Sequence, residues 1–202
     1  MISRSDMAEA PDLCLAILAA GSSRRFGAGD KLTAPLKGKM LGLHMSDRLA
    51  GMKFRQKIVI SSDRNHPCAT GWKHAGFEIA VNADANSGMG TSLALAAKLA
   101  RNGHASGLLI CLADMPLVPL EHIHEMLSCF ESAGKKGRIA SSGAGHISPP
   151  AIFGKDDFPE LMQLNGDIGA RHLLAEAEMI DLPAHQLADI DDPEALQRLN
   201  AL

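Results

Sequence analysis

Several common signatures are missing from this 202-residue sequence, and each absence removes a class of function. A membrane-spanning helix needs a run of about 18 or more apolar residues, and no such run occurs. The opening stretch, Met1 to Pro11, is polar and has no apolar core segment. It is therefore not read as a secretory signal, and a frayed tail is expected over residues 1–11. An excess of one charge is also lacking. The net charge is −3, so no global basic field draws nucleic acid or an anionic membrane surface. A phosphate-bearing ligand would have to be held by local charge.

No Cys-x-x-Cys pair occurs among Cys14, Cys68, Cys111 and Cys129. Two of the four fall in apolar runs. All are read as reduced thiols at or near a core, which points to a reducing compartment, the cytoplasm. His-Glu-x-x-His is absent, and His122 and His124 are two apart, so on a helix they would point to different faces. Gly-x-Ser-x-Gly is absent too, and Ser22-Ser23 have no evident base partner, so no hydrolase triad is expected. Neither the GxGxxG dinucleotide fingerprint nor the GxxxxGK[ST] P-loop is present. Internal repeats and low-complexity segments are also missing.

What is present reads as an ordinary globular chain, 46% hydrophobic and 21% charged. Its length suits one core, and residues 12–202 are expected to form a single domain. Apolar strand-like runs recur at Leu13–Leu18, Lys57–Ser61, Glu78–Val81, Gly107–Leu112, Arg138–Ser142 and Met179–Leu182. Helical patterns lie between most of them. Met40–Leu49 has rough 3–4 spacing, Ser92–Ala100 is rich in helix formers, and Pro119–Phe130 sets Leu120, Ile123, Leu127 and Phe130 on one face. Such alternation predicts an α/β fold, a parallel sheet with helices on both faces. Ligands of such sheets bind at the carboxyl ends of the strands, so the loops after Leu18, Ser61, Val81 and Leu112 should share one rim. Ser148–Phe153 reads as an edge or antiparallel strand, because two prolines argue against a central one. The last helix is signalled by Asp192 as N-cap, Pro193 at its first position and Glu194 in its first turn.

Four stretches carry chemistry. The apolar run ending at Leu18 opens into Ala19-Ala20-Gly21, then Ser22-Ser23-Arg24-Arg25, and closes on Asp30-Lys31. Small residues let backbone N–H groups face an anion, and the basic residues neutralise it, so this loop reads as a grip for a nucleoside triphosphate; a merely basic surface turn is the plainer reading. Asp114, in Leu112-Ala113-Asp114-Met115-Pro116, stands at the carboxyl tip of a strand. Magnesium prefers one or two carboxylates plus phosphate oxygens, which makes Asp114 a natural Mg²⁺ ligand, with a helix cap or Asx-turn as the alternative. Asp189-Ile190-Asp191-Asp192 packs three carboxylates before the final helix. With Asp192 spent on the cap, Asp191 is left for metal, unless the turn is simply solvated. Finally, the stretch from Asn82 to Leu93 carries Gly88 and Gly90 around Met89, with Thr91-Ser92 able to cap a following helix. Glycines at such a junction let a base approach the backbone, or form only a flexible connection.

Together these stretches resemble the MobA-like nucleotidyltransferase family, and most of all its MocA-type molybdopterin cytidylyltransferases. The family opens with LAAGxSxRxGxxDKL; this chain has LAAGSSRRFGAGDKL from Leu18 to Leu32. GMGxSL matches Gly88 to Leu93, DMP matches Asp114 to Pro116, GDxGAR matches Gly166 to Arg171, and DIDxPEDL matches Asp189 to Leu196. The order is the family's own over nearly the whole chain. Three departures stand out: Met40 where a proline commonly follows the lysine, a longer segment from Gly145 to Pro150, and Ala195 in place of an acid.

The resemblance implies a three-layer, Rossmann-like nucleotidyltransferase fold with a mostly parallel central sheet. It implies attack by an acceptor phosphate on the α-phosphorus of a nucleoside triphosphate, with pyrophosphate leaving. Arg25 would hold the leaving phosphates, and Lys31 would stabilise charge near the α-phosphate. Leu18, Ala19, Ala20, Gly21 and Ser23, with Asn82, Gly88, Met89 and Ser92, would hold base and sugar. Asp114 and Asp191 would hold Mg²⁺. His146, Asp167 and Arg171 would face the acceptor, a molybdopterin. Guanylyl-transferring relatives usually read LAGG where this chain has Leu18-Ala19-Ala20-Gly21, which leans the base toward CTP. The alternatives are GTP or another triphosphate, another phosphorylated acceptor, or a non-catalytic carrier of the molybdenum cofactor. An apo-molybdoenzyme or its chaperone is the partner implied, with no nucleic acid and no membrane.

Overall fold

The computed structural model describes residues 9–21, 26, 29–166 and 170–201. Ser23, Arg25 and Asp167 lie outside the described residues, as do residues 1–8 of the expected tail. The tail expected over residues 1–11 is corrected at its end. Ala10 and Pro11 open the first strand, β1 (Ala10–Leu18), where Ala10 is buried and its N–H donates to Lys53 O at 3.1 Å.

A short hairpin follows, β2 (Pro35–Leu36) and β3 (Lys39–Met40), which the sequence patterning did not reveal. The helix expected over Met40–Leu49 is a 3-10 turn at Leu41–Leu43 running into α1 (His44–Arg48). Then come β4 (Phe54–Ser61), α2 (Ala69–His74), β5 (Glu78–Val81), α3 (Met89–Asn102), β6 (Gly107–Leu112) and α4 (Leu120–Ser132). The later chain gives β7 (Arg138–Gly143), β8 (His146–Gly154), α5 (Phe158–Leu161), α6 (Arg171–Leu174), β9 (Glu178–Asp181) and α7 (Pro193–Ala201).

Seven strands form one sheet in the order β5-β4-β1-β6-β8-β7-β9. β8 runs antiparallel to both neighbours, and the other pairings are parallel. The edge position considered for Ser148–Phe153 is therefore corrected: this strand is interior. Its prolines are tolerated because the β7 ladder passes from Ala140↔Ala151 to Ser141↔Ser148, so Pro149 and Pro150 sit in a bulge where no regular ladder N–H is needed.

Side-chain alternation along β1 divides the core. Leu13, Leu15 and Ile17 face one layer with Met45, Trp72, Ile123 and Phe130, contributed by α1, α2 and α4. Cys14, Ala16 and Leu18 face the other with Leu93, Ala97, Phe158 and Leu173, from α3, α5 and α6. This is the three-layer α/β arrangement that the alternating pattern predicts. All four cysteines are free thiols, and burial pushes the Cys14, Cys68 and Cys111 thiols up to about 12. No helix among the described residues is long and apolar enough to cross a membrane.

Candidate active site

After β1 the chain winds outward through β4 and β5, then returns to the other side of β1 as β6. The strand order therefore reverses between β1 and β6, and the crevice at their carboxyl ends is where open α/β sheets place ligands. The two ends are joined: the Ala113 N–H donates to Leu18 O at 3.0 Å. Ala19 is buried and its N–H donates to Ile60 O at 2.8 Å, while Ala20 is half-buried and Gly21 exposed.

Lys31, Asp114 and Asp191 come from three distant parts of the chain and meet on this rim. The Lys31 ammonium lies 2.5 Å from Asp114 Oδ2 and 2.9 Å from Asp191 Oδ1. The lysine side chain is only 12% exposed and that of Asp114 16%, against 34% for Asp191. Burial works against the charged ammonium, but the two carboxylates outweigh it and hold the Lys31 pKa above its ordinary value. A backbone hydrogen bond of 2.9 Å from Ile190 N–H to Asp114 O brings the acidic segment to the β6 tip. Ile190 is buried with Leu36, Leu41 and Leu196, so its two flanking aspartates project outward.

The cluster holds one residue more than the sequence reading assigned. Asp114, Asp189 and Asp191 each offer a carboxylate oxygen, all within 4.8 Å of one another. Burial, followed by the charges of Asp191 and Asp114, raises the Asp189 pKa. Three hard oxygen donors with surplus negative charge are a donor set suited to Mg²⁺ or Mn²⁺. The signal for Asp189 was available in the sequence: in an extended segment, residues 189 and 191 share a side. Asp192 takes the capping role expected of it, its Oδ1 accepting from Ala195 N–H at 2.7 Å.

The segment carrying Lys31 is pinned from behind. Asp30 Oδ1 accepts from Leu32 N–H at 3.0 Å and caps the 3-10 turn Lys31–Thr33. Its Oδ2 lies 2.6 Å from His66 Nε2. His66 Nδ1 accepts the Cys68 N–H at 3.0 Å, which leaves the ring hydrogen on Nε2 to donate to Asp30. The imidazole stacks on Trp72 with centroids 4.8 Å apart. Nothing in the local sequence signals this contact, because its partners are 36 residues apart.

Across the crevice, α3 begins at Met89, with Gly88 as N-cap at φ 117, so the expected cap by Thr91-Ser92 is replaced by an earlier start. Asn82 is buried. Its amide N–H groups donate to Thr91 Oγ1 at 2.8 Å and Ser92 Oγ at 2.9 Å, and its Oδ1 accepts from Asp84 N–H at 3.0 Å. Asn82 and Ser92 thus shape the loop, whereas Met89 is 49% exposed on it. The Gly90 N–H donates to Gly166 O at 2.9 Å, tying this loop to the segment before α6. Arg171 is the exposed first residue of α6. β8 pairs Ile110 with Ala151, so its first residues, from the exposed His146, extend past the end of β6 on the same rim.

Comparison with known proteins gives these loops a family. The MobA-like NTP transferase domain matches residues 15–182. The chain is 32% identical to the purine catabolism protein PucB of Bacillus subtilis (strain 168) over 200 residues, 91% of this chain and 94% of that protein. It is 28% identical to a molybdenum cofactor guanylyltransferase of Shewanella sp. (strain W3-18-1) over 191 residues, 91% of this chain and 93% of the relative. Among solved structures it resembles Rv0371c of Mycobacterium tuberculosis H37Rv in complex with manganese, at a TM-score of 0.63 and 22% identity, covering 94% of this chain and 98% of that one. With a family match that runs from within β1 to the end of β9, the chain belongs to the MobA-like NTP transferases and is a nucleotidyltransferase.

Proposed function

We propose that this protein is a divalent-metal-dependent cytidylyltransferase that moves CMP from CTP to the phosphate of molybdopterin, as a single domain that runs from β1 to α7. The observation that carries the reading is the convergence of Lys31, Asp114 and Asp191 at the β1/β6 crevice. An oxygen of the acceptor phosphate attacks the α-phosphorus, the bond to the β-phosphate oxygen breaks, and pyrophosphate leaves. The acceptor is already an anion, so no protein base is required and the work is positioning plus charge neutralisation. Lys31 meets charge developing at the α-phosphate, and Arg25 the leaving phosphates. Ala19 to Ser23 and the loop from Asn82 to Ser92 receive base and sugar. His146, Asp167 and Arg171 face the acceptor. Asp114 and Asp191, joined by Asp189, would hold the metal, Mg²⁺ in the cell, which supplies Lewis-acid polarisation of phosphoryl oxygens. Support for a metal comes from the carboxylate set and from the manganese complex of the Mycobacterium neighbour.

The cytosine preference rests on Ala20, whose methyl stands where guanylyl-transferring relatives have glycine. GTP is the second reading, and the Shewanella relative's name favours it. Pyrophosphate release measured with each of CTP and GTP, with Mg²⁺ and molybdenum-loaded molybdopterin, tests both. Turnover with CTP is expected, and Asp114→Asn should slow it by on the order of 100-fold. Turnover with GTP alone would replace the first reading by the second, and an unimpaired Asp114→Asn enzyme would sink the metal assignment. Binding of the pterin with no pyrophosphate from any nucleotide would make the protein a carrier.

A further inference from the structure

The ammonium of Lys31 and a divalent cation draw on the same oxygens. Lys31 Nζ lies 2.5 Å from Asp114 Oδ2 and 2.9 Å from Asp191 Oδ1, and both carboxylates belong to the three-oxygen set that fits a metal. Asp114, Asp189 and Asp191 carry three formal negative charges. A divalent ion in place of the Lys31 ammonium would bring one more positive charge to them. The ammonium and the metal compete for the Asp114–Asp191 gap, because both draw on the same oxygens and two cations a few ångströms apart repel. One of them must yield, and the lysine is built to do so.

The fixed and mobile parts of this residue are distinct. Its backbone is anchored. Asp30 caps the turn through Leu32 N–H, His66 holds Asp30 from behind, and Ala34 N–H returns to Lys31 O at 3.1 Å. Its side chain is a flexible four-carbon stem ending in a compact point charge. Rotation about that stem can carry the charge from the carboxylates toward the crevice without moving the turn.

We propose that Lys31 is an exchangeable counter-ion: its ammonium neutralises Asp114 and Asp191 until a divalent cation takes those oxygens, and it is then released toward the phosphates of the nucleotide. The release toward phosphate rests on the nucleotidyltransferase reading above, whereas the exchange with metal does not. Metal and triphosphate are then coupled through one side chain. A triphosphate that attracts the ammonium frees carboxylate oxygens for the metal, and a metal that displaces the ammonium offers it to the phosphates. Such coupling is reciprocal by thermodynamic necessity.

Binding of Mn²⁺ alone, with no nucleotide, tests the exchange by calorimetry or by the electron paramagnetic resonance of the free ion. Lys31→Met should bind Mn²⁺ at least about tenfold more tightly than the wild type, since a competing positive charge has been removed. Lys31→Arg, which keeps the charge, should stay near the wild type. Asp114→Asn should abolish binding in either background. If the wild type binds Mn²⁺ and Lys31→Met binds it no more tightly, the exchange is wrong while the metal site stands. If neither protein binds Mn²⁺, the metal assignment falls and the exchange falls with it. The unmodified chain gives a second measurement that is independent of whether Lys31→Met folds. Acetylation of Lys31, followed by mass spectrometry, should rise severalfold when Mn²⁺ is added, while the exposed Lys98 stays constant. Unchanged or reduced labelling of Lys31 would overturn the proposal.

Discussion

At the scale of single residues, three charged groups from distant parts of the chain meet on one rim, with the Lys31 ammonium 2.5 Å from Asp114 Oδ2 and 2.9 Å from Asp191 Oδ1. Lys31, Asp114 and Asp191 could be picked out because each stands at a junction where a strand or turn ends in a charged residue. Asp189 was passed over although it flanks the buried Ile190 on the same outward side as Asp191. His122 shows the other limit. It sits in α4 as one of two closely spaced histidines, yet only the fold brings its Nε2 to 2.8 Å from Ser141 Oγ, which itself donates to Pro150 O at 2.8 Å. With Ser141 donating to Pro150, the imidazole must supply the hydrogen on Nε2. Its Nδ1 is buried with no hydrogen-bond partner among the described residues, so a second proton there would have no acceptor. Burial accordingly holds the His122 pKa below the ordinary 6.5, against a weaker opposing pull from Glu125. The unfolded chain takes up this proton near pH 6.5 while the folded chain resists it. The contribution to stability is therefore intact above about pH 6.5 and declines as pH falls below it. Denaturant unfolding followed between about pH 7 and 5 should lose stability on acidification, with a shallower loss in His122→Gln. An equal slope in both proteins would assign the effect elsewhere, first to His44, whose pKa burial also lowers.

At the scale of elements, the patterns that survived were those set by two or more agreeing signals. α7 begins where Asp192, Pro193 and Glu194 together place it. The strands Glu78–Val81 and Gly107–Leu112 match their apolar runs. The β2–β3 hairpin escaped notice because its strands are two residues long and carry no periodicity. β8 defied the rule about proline because a bulge relieved it, which no single-strand pattern can reveal. The hairpin and α7, far apart in sequence, are packed together. Leu36, Leu41, Ile190 and Leu196 form a small core of their own, with Phe26 and Leu199 against it. Asn200 ties the two further: its Oδ1 accepts from Lys37 N–H at 2.8 Å, and its Nδ2 donates to Pro35 O at 2.9 Å. α7 therefore braces two segments of the proposed site at once, the one after Lys31 and the one holding Asp191. Leu196→Ala should cost about 2 kcal/mol, the low end for a buried leucine at the margin of a core. Hydrogen exchange should quicken in residues 34–41 and 189–196 together while the strands of the main sheet stay protected. Loosening of only one of these segments would show that α7 does not join them.

At the scale of the whole molecule, the sheet order places Lys31, Asp114 and Asp191, the groups proposed for catalysis, where the chain changes direction, and the carboxyl rim was the most predictable feature of all. Alternating strands and helices give a parallel sheet, and a parallel sheet gives a ligand crevice at its carboxyl edge. The antiparallel direction of β8 was read from its prolines rather than from the alternation, and its interior place in the sheet was not foreseen. The strand extends the sheet beyond β6 and carries the β8 start, with His146, to the same rim. The proposed ligand would touch loops that follow β1, β5 and β6 together with the segment before α7, which spreads its contacts across most of the fold. Binding that spans these segments should stabilise the molecule as a unit and raise a single unfolding transition. At a free ligand concentration about 100 times the dissociation constant, the gain is about 2.7 kcal/mol. For a chain of this size that corresponds to a rise of about 5–10 °C in Tm. CTP with Mg²⁺ should produce such a rise, GTP with Mg²⁺ a smaller one, and Mg²⁺ without nucleotide less than either. Asp191→Asn should remove most of the CTP shift, because one of the carboxylates that would hold the metal is lost. A full CTP shift in Asp191→Asn would mean that the nucleotide is held without this carboxylate, and a larger shift with GTP would move the base preference to guanine.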